Sequence, residues 1–325
     1  MIIDNLKLKV KDLFIIEKKP QKGLLAAEWV VMGYLVFTLV VMALFWDGIE
    51  NREAMLQGRF QYVMTTLAMW VVYRLVPCRL TLFARIVVQM AFLGWWYPDT
   101  YELNRQLPNL DHLFASAEQA LFGCQPALVF SKHMPWGWFS ELMCLGYVSY
   151  FPLIALTTIY YFFLRYKEFR LATFVILTSF FVYYVVFVLL PVTGPQFYYL
   201  AVGTERIAEG VFPNLGDWFL THSERMAAPG WSDGFFYHLL DITHDAGERP
   251  TAAFPSSHVG VTTVLMMLAL RTRCRWLVFT MLPFYILMCL STVYIYAHYA
   301  IDVIAGLITG VTLYYLLVAV GKRWS

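Results

Sequence analysis

Residues 298–320 read HYAIDVIAGLITGVTLYYLLVAV. The run has about the length that crosses the hydrocarbon core of a bilayer, ~20 apolar residues, and its one acidic residue is Asp302. His298 and Asp302 are four residues apart, so a helix places them on one face, where they can hydrogen-bond. Ionisable residues are costly in a membrane span, and their presence here indicates a functional site.

A second histidine begins another apolar run. Phe254-Pro255-Ser256-Ser257-His258 precedes VGVTTVLMMLAL at residues 259–270. Two helices that begin at the same membrane depth direct free N–H groups and positive dipole ends toward an anion. We therefore predict that Ser256, Ser257 and the upstream Arg249 bind phosphate. One histidine would attack phosphorus while the other protonates the leaving oxygen.

The composition is that of a polytopic membrane protein. Of 325 residues, 60% are hydrophobic and 14% are charged, whereas soluble domains have about 45–50% apolar and about 25% charged residues. The net charge of +2 is too small to indicate a nucleic-acid partner. The predicted partners are the bilayer and its lipids, and the sequence leaves the oligomeric state open.

Eight apolar runs predict an all-α integral membrane protein with about eight transmembrane helices. They are residues 29–46, 60–76, 80–97, 139–164, 171–190, 256–270, 276–294 and 298–320. The third run contains Arg85, which is expected to snorkel or to pair with a carboxylate inside the bundle. The sixth run is short.

Basic residues fall in alternate connections between these runs. They precede the first run and follow the second, fourth, sixth and eighth: Lys7, Lys9, Lys11, Lys18, Lys19, Lys22, Arg74, Arg79, Arg165, Lys167, Arg170, Arg271, Arg273, Arg275, Lys322 and Arg323. The positive-inside rule makes these connections, and hence both termini, cytoplasmic. His258 and His298 then face the extracytoplasmic side. The first run lacks a cleavage site and is interpreted as an anchor.

Two long segments, residues 98–138 and 191–255, are then extracytoplasmic loops. The first contains an amphipathic stretch, Asp111–Phe122, which is expected to lie in the membrane interface. The second is long and rich in Gly, Pro, Trp and Tyr. We expect it to form an ordered cap at the lipid surface.

The second loop also contains the cluster His238, Asp241, His244 and Asp245. Such side chains can ligate a metal, but a solvated helix face explains their spacing better. The five cysteines lack the spacing of metal ligands or of a disulfide framework. We predict no metal site and no other cofactor.

Pro255-Ser256-Ser257-His258 followed by His298-x-x-x-Asp302 resembles two motifs of the type 2 phosphatidic acid phosphatase superfamily. Those motifs are Pro-Ser-Gly-His and Ser-Arg-x5-His-x3-Asp. The resemblance implies a six-helix catalytic core at residues 80–325, with residues 1–79 contributing two additional transmembrane helices. It also implies that His298 is the nucleophile that forms a phosphohistidine, that Asp302 orients it, and that His258 is the general acid and base.

The chain departs from the phosphatase pattern at three places. Thr292 stands where the third motif has arginine, and Ser257 stands where the second has glycine. The first motif, Lys-x6-Arg-Pro, is absent after the fifth run, where residues 190–198 read LPVTGPQFY. Gly194, Pro195 and Gln196 are predicted to line the substrate there. The alternative interpretation is a simple helix-ending turn.

The missing arginine and the element His298-Tyr299-x-x-Asp302 resemble the inositol phosphorylceramide synthase and sphingomyelin synthase branch. That resemblance implies a phosphotransferase in a bacterial inner membrane, with its site facing the periplasm. It would move a phospho-head group, such as phosphoinositol, from a phospholipid donor to ceramide or a similar lipid alcohol. One alternative is a phosphatase that uses water as acceptor, with phosphatidic acid, phosphatidylglycerophosphate or undecaprenyl pyrophosphate as substrate. Another is a non-catalytic lipid transporter or scaffold in which His298 and Asp302 only brace two helices.

Overall fold

The computed structural model describes residues 11–324 and confirms the predicted all-α fold. Throughout that stretch the chain forms helices, turns and coil, and its one β-bridge joins Ile16 to Cys78. Residues 1–10 of the predicted N-terminal segment, including Lys7 and Lys9, lie outside the described residues.

The helices are numbered in chain order. The first four are α1 (Ala26–Leu44), α2 (Arg52–Leu75), α3 (Arg79–Ala91) and α4 (Leu93–Asn104). Next come α5 (Asp111–Phe122), α6 (Pro126–His133), α7 (Gly137–Val148), α8 (Tyr150–Leu164) and α9 (Tyr166–Leu189). The remainder are α10 (Pro195–Val202), α11 (Thr204–Ala208), α12 (Phe235–Gly247), α13 (Ser257–Arg271), α14 (Arg275–Tyr294) and α15 (Ala300–Trp324). Short 3-10 turns occur at Trp46–Gly48 and Trp218–Leu220.

All eight predicted runs fold as helices, but not all have the length and hydropathy of a membrane span. Among the described residues five spans do: Ala26–Leu44, Arg79–Asn104, Tyr166–Leu189, Arg275–Tyr294 and Ala300–Arg323. The pair α7 and α8 makes a sixth if its 43° bend is counted within one span. Of the other two, α2 begins with the polar sequence REAMLQGRFQ, and α13 has only 15 residues.

Helices α13 and α15 approach each other through glycines. A Cβ atom on Gly306 would lie 2.7 Å from the carbonyl oxygen of Ser256, and one on Gly310 would lie 2.5 Å from that of Gly260. Both distances are too short for a side chain, so glycine permits this backbone contact. The contact sets the beginnings of the two helices side by side, and with them the two histidines.

Helix α9 lies at the centre of the bundle and packs against α1, α4, α8, α13 and α15. Two buried ion pairs tie the N-terminal helices together: Arg85 of α3 binds Glu28 of α1, and Arg59 of α2 binds Asp99 of α4 at 2.7 Å. The expectation that Arg85 pairs with a carboxylate inside the bundle is therefore confirmed. The division of the chain at residue 79 stays a prediction.

The segment predicted to form the first extracytoplasmic loop is shorter than expected. Helix α4 continues through Pro98 to Asn104, so the connection begins at Arg105, seven residues after Pro98. Buried contacts outweigh the hydrogen bond that the proline removes: Asp99 binds Arg59, and the side-chain amide of Asn104 donates to the Phe187 carbonyl at 3.1 Å.

The predicted amphipathic helix is present as α5, and it buries its polar side. Asp111, Ala115 and Glu118 are buried, while Leu113 and Leu121 are 54% and 63% exposed. The apolar side is thus turned away from the protein, as an interfacial helix requires. Its location in the membrane interface stays a prediction.

Candidate active site

Three connecting segments interlock at one end of the bundle. The Ala253 N–H donates to the Val192 carbonyl at 3.0 Å, and the Ser256 N–H donates to the Asp302 carbonyl at 3.1 Å. Gly194 has a φ of 91°, which favours glycine, and a Cβ there would lie 2.7 Å from the Ala297 carbonyl oxygen. These contacts join the segments before α10, α13 and α15 into one polar site.

The two histidines meet in this site. The ring centroids of His258 and His298 are 5.7 Å apart. His298 is only 4% exposed. The sequence predicted that they lie at one depth, and the structure brings their rings to a distance that one phosphate group can bridge.

His298 is oriented by a backbone carbonyl. Its Nδ1 lies 2.8 Å from the Ala253 oxygen, so Nδ1 carries the proton and Nε2 presents its lone pair. The nearest Asp302 oxygen is 3.6 Å from Nδ1, which is too long for a hydrogen bond. The expected hydrogen bond between the two side chains is therefore absent. The Asp302 carboxylate accepts the Tyr299 N–H at 2.9 Å instead.

The start of α15 is not open to an anion, contrary to the sequence-based expectation. The Ala300 N–H donates to the Glu118 carboxylate, and the Tyr299 N–H donates to Asp302. Two carboxylates thus occupy the amides that were expected to bind phosphate. Burial raises the pKa of Glu118 to about 8.

The start of α13 matches the expectation more closely. The Ser256 side chain accepts the Val259 N–H at 3.4 Å and caps the helix. Ser257, the first helical residue, lines a cavity together with His258. Of the two helix starts, the one at α13 is therefore the one that can receive an anion.

The His258 ring lies between two tyrosines. Its centroid is 4.5 Å from those of both Tyr147 and Tyr150, with the Tyr147 ring stacked at 28°. Its Nδ1 is buried without a hydrogen-bond partner among the described residues. The aromatic pair fixes the plane of the ring and leaves a nitrogen for a ligand.

A cavity of about 840 Å³ extends from His258 into the bundle. Helices α3, α4, α7, α8, α9 and α12 enclose it together with the first residues of α13. Its wall is mainly apolar and includes Phe83, Val87, Met90, Phe151, Ile154 and Phe180. His244, Glu248 and Ser257 join His258 at its polar end. An apolar chamber with a few polar groups at one end suits an amphiphilic ligand.

The family model of the PAP2 superfamily matches residues 111–316, more than half of the chain. The chain belongs to the PAP2 superfamily. No curated protein and no solved structure matches it. Members of the superfamily are lipid phosphatases or phosphotransferases, and membership indicates an activity of this kind. The matched region contains both histidine motifs and all of α5.

Asp111 is a residue of this PAP2 protein that the sequence analysis did not select. Its carboxylate accepts the backbone N–H groups of Thr193 and Gly194 at 2.7 and 2.9 Å, and the Tyr299 hydroxyl at 3.0 Å. It thereby joins the loop before α10 to the loop before α15. Asp111 and Glu118 lie seven residues apart on one face of α5. Two acidic residues on one face of an apolar helix are the sequence feature from which Asp111 could have been identified.

The residues predicted to line the substrate lie beside the cavity rather than on its wall. Gly194 and Pro195 form the turn that begins α10, so they start a helix rather than end one. Gln196 is buried, and its side-chain amide donates to Glu248 at 2.9 Å. Among these three residues only Gln196 contacts the lining, through Glu248.

Arg249 and Thr292 have different surroundings in this PAP2 protein. Arg249 is exposed, and among the described residues its guanidinium forms no hydrogen bond or ion pair. Thr292 is buried, and its carbonyl accepts the His298 N–H at 2.9 Å. The residue in the place of the motif arginine therefore anchors His298 through its backbone.

The side chains of the predicted cluster on α12, His238, Asp241, His244 and Asp245, lie in different surroundings. Arg225 pairs with Asp241 and Asp245 at 3.0 and 2.8 Å. His238 is exposed, whereas His244 is 4% exposed and faces the cavity. The interpretation of the cluster as a solvated face is therefore wrong for His244. Among the described residues, no group of three or more His, Cys, Asp or Glu side chains is arranged to hold a metal ion.

Proposed function

We propose that this PAP2-superfamily protein is a membrane phosphotransferase. It moves a phospho-head group, such as phosphoinositol, from a phospholipid to ceramide or a similar lipid alcohol through a phosphohistidine. The supporting observation is the pair of rings 5.7 Å apart, one of which, His258, lies at the polar end of the apolar cavity.

The first step forms the phosphohistidine. The His298 Nε2 lone pair attacks the donor phosphorus, and the bond from phosphorus to the diacylglycerol oxygen breaks. Protonated His258 gives its proton to that oxygen. The Ala253 carbonyl holds the Nδ1 proton at 2.8 Å, and the Asp302 carboxylate at 3.6 Å stabilises the positive charge on the imidazole.

The second step transfers the group to the acceptor. The acceptor hydroxyl attacks the phosphorus of the phosphohistidine, and neutral His258 takes its proton. The bond from phosphorus to Nε2 breaks, which returns His298 to its starting form and His258 to its protonated form. The head group leaves as a phosphodiester of the lipid alcohol.

The shape of the site supports a lipid acceptor over water. His258 stacks on Tyr147 and lies 4.5 Å from Tyr150, and the adjoining cavity is lined mainly by apolar side chains. An apolar wall binds a lipid chain favourably and holds water poorly. Hydrolysis of a lipid phosphate is the alternative outcome within the same family.

The distribution of basic residues supports an extracytoplasmic site. Most lysines and arginines, 16 of 24, belong to the set near the opposite ends of the helices from His258 and His298. Both termini would then be cytoplasmic. In a bacterial inner membrane, the site would face the periplasm.

The test is a product analysis with purified full-length protein in detergent micelles. Phosphatidylinositol is supplied with and without fluorescent ceramide, and lipids are resolved by mass spectrometry; phosphatidylcholine and phosphatidylethanolamine follow as donors. Ceramide-dependent formation of a phosphosphingolipid together with diacylglycerol is expected, and the His298→Ala variant should form neither. Release of a water-soluble phosphate or phospho-head group at the same rate without ceramide would identify a phosphatase instead.

A further inference from the structure

Two polar side chains on α12 face the cavity and have no place in the two histidine motifs. His244 and Glu248 are four residues apart and both line the cavity, at the end where His258 lies. Residues at this spacing share one side of a helix. They line the apolar chamber with groups that can bind a polar part of its occupant.

His244 lacks a partner for a buried nitrogen. The side chain is 4% exposed, and its Nε2 forms no hydrogen bond within the described part of the chain. Its ring packs edge-on against Tyr147 at 5.5 Å, and Tyr147 stacks on His258. A buried polar atom without a partner is destabilising. A ligand in the cavity would supply the missing hydrogen bond.

One carboxylate oxygen of Glu248 accepts a hydrogen bond from the protein, and the other is available to a ligand. Oε1 accepts the Gln196 side-chain amide at 2.9 Å, and among the described residues Oε2 has no hydrogen-bond partner. The Gln196 contact places the carboxylate beside the loop of the nucleophile, because the Gln196 N–H donates to the Tyr296 carbonyl at 2.8 Å. Glu248 thus lies between the cavity and the segment that holds His298.

The position of α12 is fixed by contacts away from the cavity. Glu141 of α7 accepts the N–H groups of Phe236 and Tyr237 at 2.9 and 2.8 Å, which caps the first turn. Arg225 pairs with Asp241 and Asp245 on the same helix. Because these contacts hold the helix from outside, the side chains that face the cavity are not needed to dock it.

We infer that His244 and Glu248 form the subsite that binds the polar end of the acceptor lipid. The Glu248 carboxylate accepts a hydrogen bond from an amide N–H or a hydroxyl that neighbours the reacting hydroxyl, and His244 Nε2 pairs with another polar group of the same molecule. The matching ligand class is a lipid with a hydroxyl and a neighbouring amide or hydroxyl. This inference rests on the proposed transferase function.

The charge state of His244 suits this role. Burial lowers the pKa of His244 to about 3, so the ring is neutral at physiological pH. A neutral imidazole can accept a hydrogen bond at one nitrogen and donate one at the other. It can therefore bind an uncharged amide or hydroxyl without placing a second cation beside His258.

The test compares His244→Phe, His244→Gln and Glu248→Gln with His238→Phe as a matched control on the exposed side of the same helix. Loss of a buried hydrogen bond contributes about 1–3 kcal/mol, which is roughly 5- to 150-fold in an equilibrium constant. His244→Phe should raise the acceptor KM at least about tenfold and shift products from transfer toward hydrolysis. His244→Gln should recover part of that loss, and His238→Phe should behave as wild type.

A binding measurement separates this inference from the proposed function. Fluorescent ceramide is titrated onto His298→Ala protein and onto the double variant His298→Ala/His244→Phe, neither of which turns over. Weaker binding by the double variant supports the subsite. Equal Kd values, or an unchanged ratio of transfer to hydrolysis, would overturn it. If the wild-type protein forms no ceramide-dependent product, the proposed function fails, while the Kd comparison still decides whether the subsite exists.

Discussion

The two histidines begin neighbouring helices in opposite kinds of surroundings. At the start of α15, His298 is held by the Ala253 carbonyl, and the carboxylates of Glu118 and Asp302 accept the backbone N–H groups beside it. Within the described part of the chain, the carbonyls of Ala253 and Thr292 accept hydrogen bonds from the His298 ring and backbone. This environment fixes one ring nitrogen and directs the other outward.

At the start of α13 the surroundings are aromatic and open. His258 stacks on Tyr147 beside Tyr150, its Nδ1 has no partner among the described residues, and it faces the cavity. Among the described residues, no hydrogen bond fixes which nitrogen of the ring carries the proton. The difference between the two sites supports the proposed roles: a nucleophile needs a fixed geometry, whereas an acid and base must gain and lose a proton on the substrate.

Removing the side chain of His298, the proposed nucleophile, is the strongest test of the difference between the two histidines. His298→Ala should lower diacylglycerol release by more than about 10³-fold, because the proposed covalent intermediate forms on this side chain. Diacylglycerol release without any acceptor reports the first step alone. His238→Ala, a substitution at an exposed position, is the control and should keep wild-type rates.

Removing the proton donor should have a smaller effect that depends on the leaving group. His258→Ala should lower the rate with a phospholipid donor by about 10²–10⁴-fold, the usual contribution of general acid catalysis. With a p-nitrophenyl phosphodiester, whose leaving group departs without protonation, most of this loss in the first step should disappear. Equal losses with both donors would contradict the assignment of His258 as the acid.

Asp302→Asn probes which group orients the nucleophile. The asparagine oxygen can still accept the Tyr299 N–H, and the Ala253 carbonyl still holds Nδ1. Only the negative charge is lost, so we expect the rate to fall roughly 10- to 100-fold, as for one charged interaction of about 1.5–3 kcal/mol. A loss as large as that of His298→Ala would instead make Asp302 the group that sets the tautomer.

The pairing of the histidines was predictable from the sequence because each one begins an apolar run. The spacing of His298 and Asp302 and the sequence before His258 were sufficient to predict that the two histidines meet; the membrane depth of the site stays a prediction. The helical content was predictable from the length of the apolar runs. The buried partner of Arg85 was predictable because an ionisable residue within an apolar run requires compensation.

The rest of the site depends on contacts between residues far apart in the chain. Asp111 binds Thr193 and Tyr299, and Ala253 binds His298; none of these pairs has a periodic spacing that a sequence reveals. His244 shows the same limit, because the cluster around it is what a solvated helix face would also display. Only the docking of α12 determines that this residue points inward.

The smallest expected effect tests the carboxylates around the start of α15. Burial raises the pKa of Glu118 from 4.5 to about 8, so the folded state favours the protonated carboxyl. The stability that this form contributes is fully present below pH 4.5 and is lost as the pH rises through about 8, because the unfolded chain releases the proton more readily. Glu118→Gln resembles the protonated form and keeps an oxygen to accept the Ala300 N–H.

We therefore expect the melting temperature of the wild-type protein in detergent to fall between about pH 5 and 8 by a few degrees more than that of Glu118→Gln. Glu224→Gln, at an exposed position, is the control and should follow the wild type. The substitution should leave the tautomer of His298 unchanged, because the Ala253 carbonyl and not Glu118 holds its Nδ1. If the melting temperatures of wild type and variant change equally with pH, Glu118 is ionised in the folded protein. The start of α15 would then carry two negative charges beside the nucleophile, and the environment of His298 would be repulsive to phosphate as well as rigid.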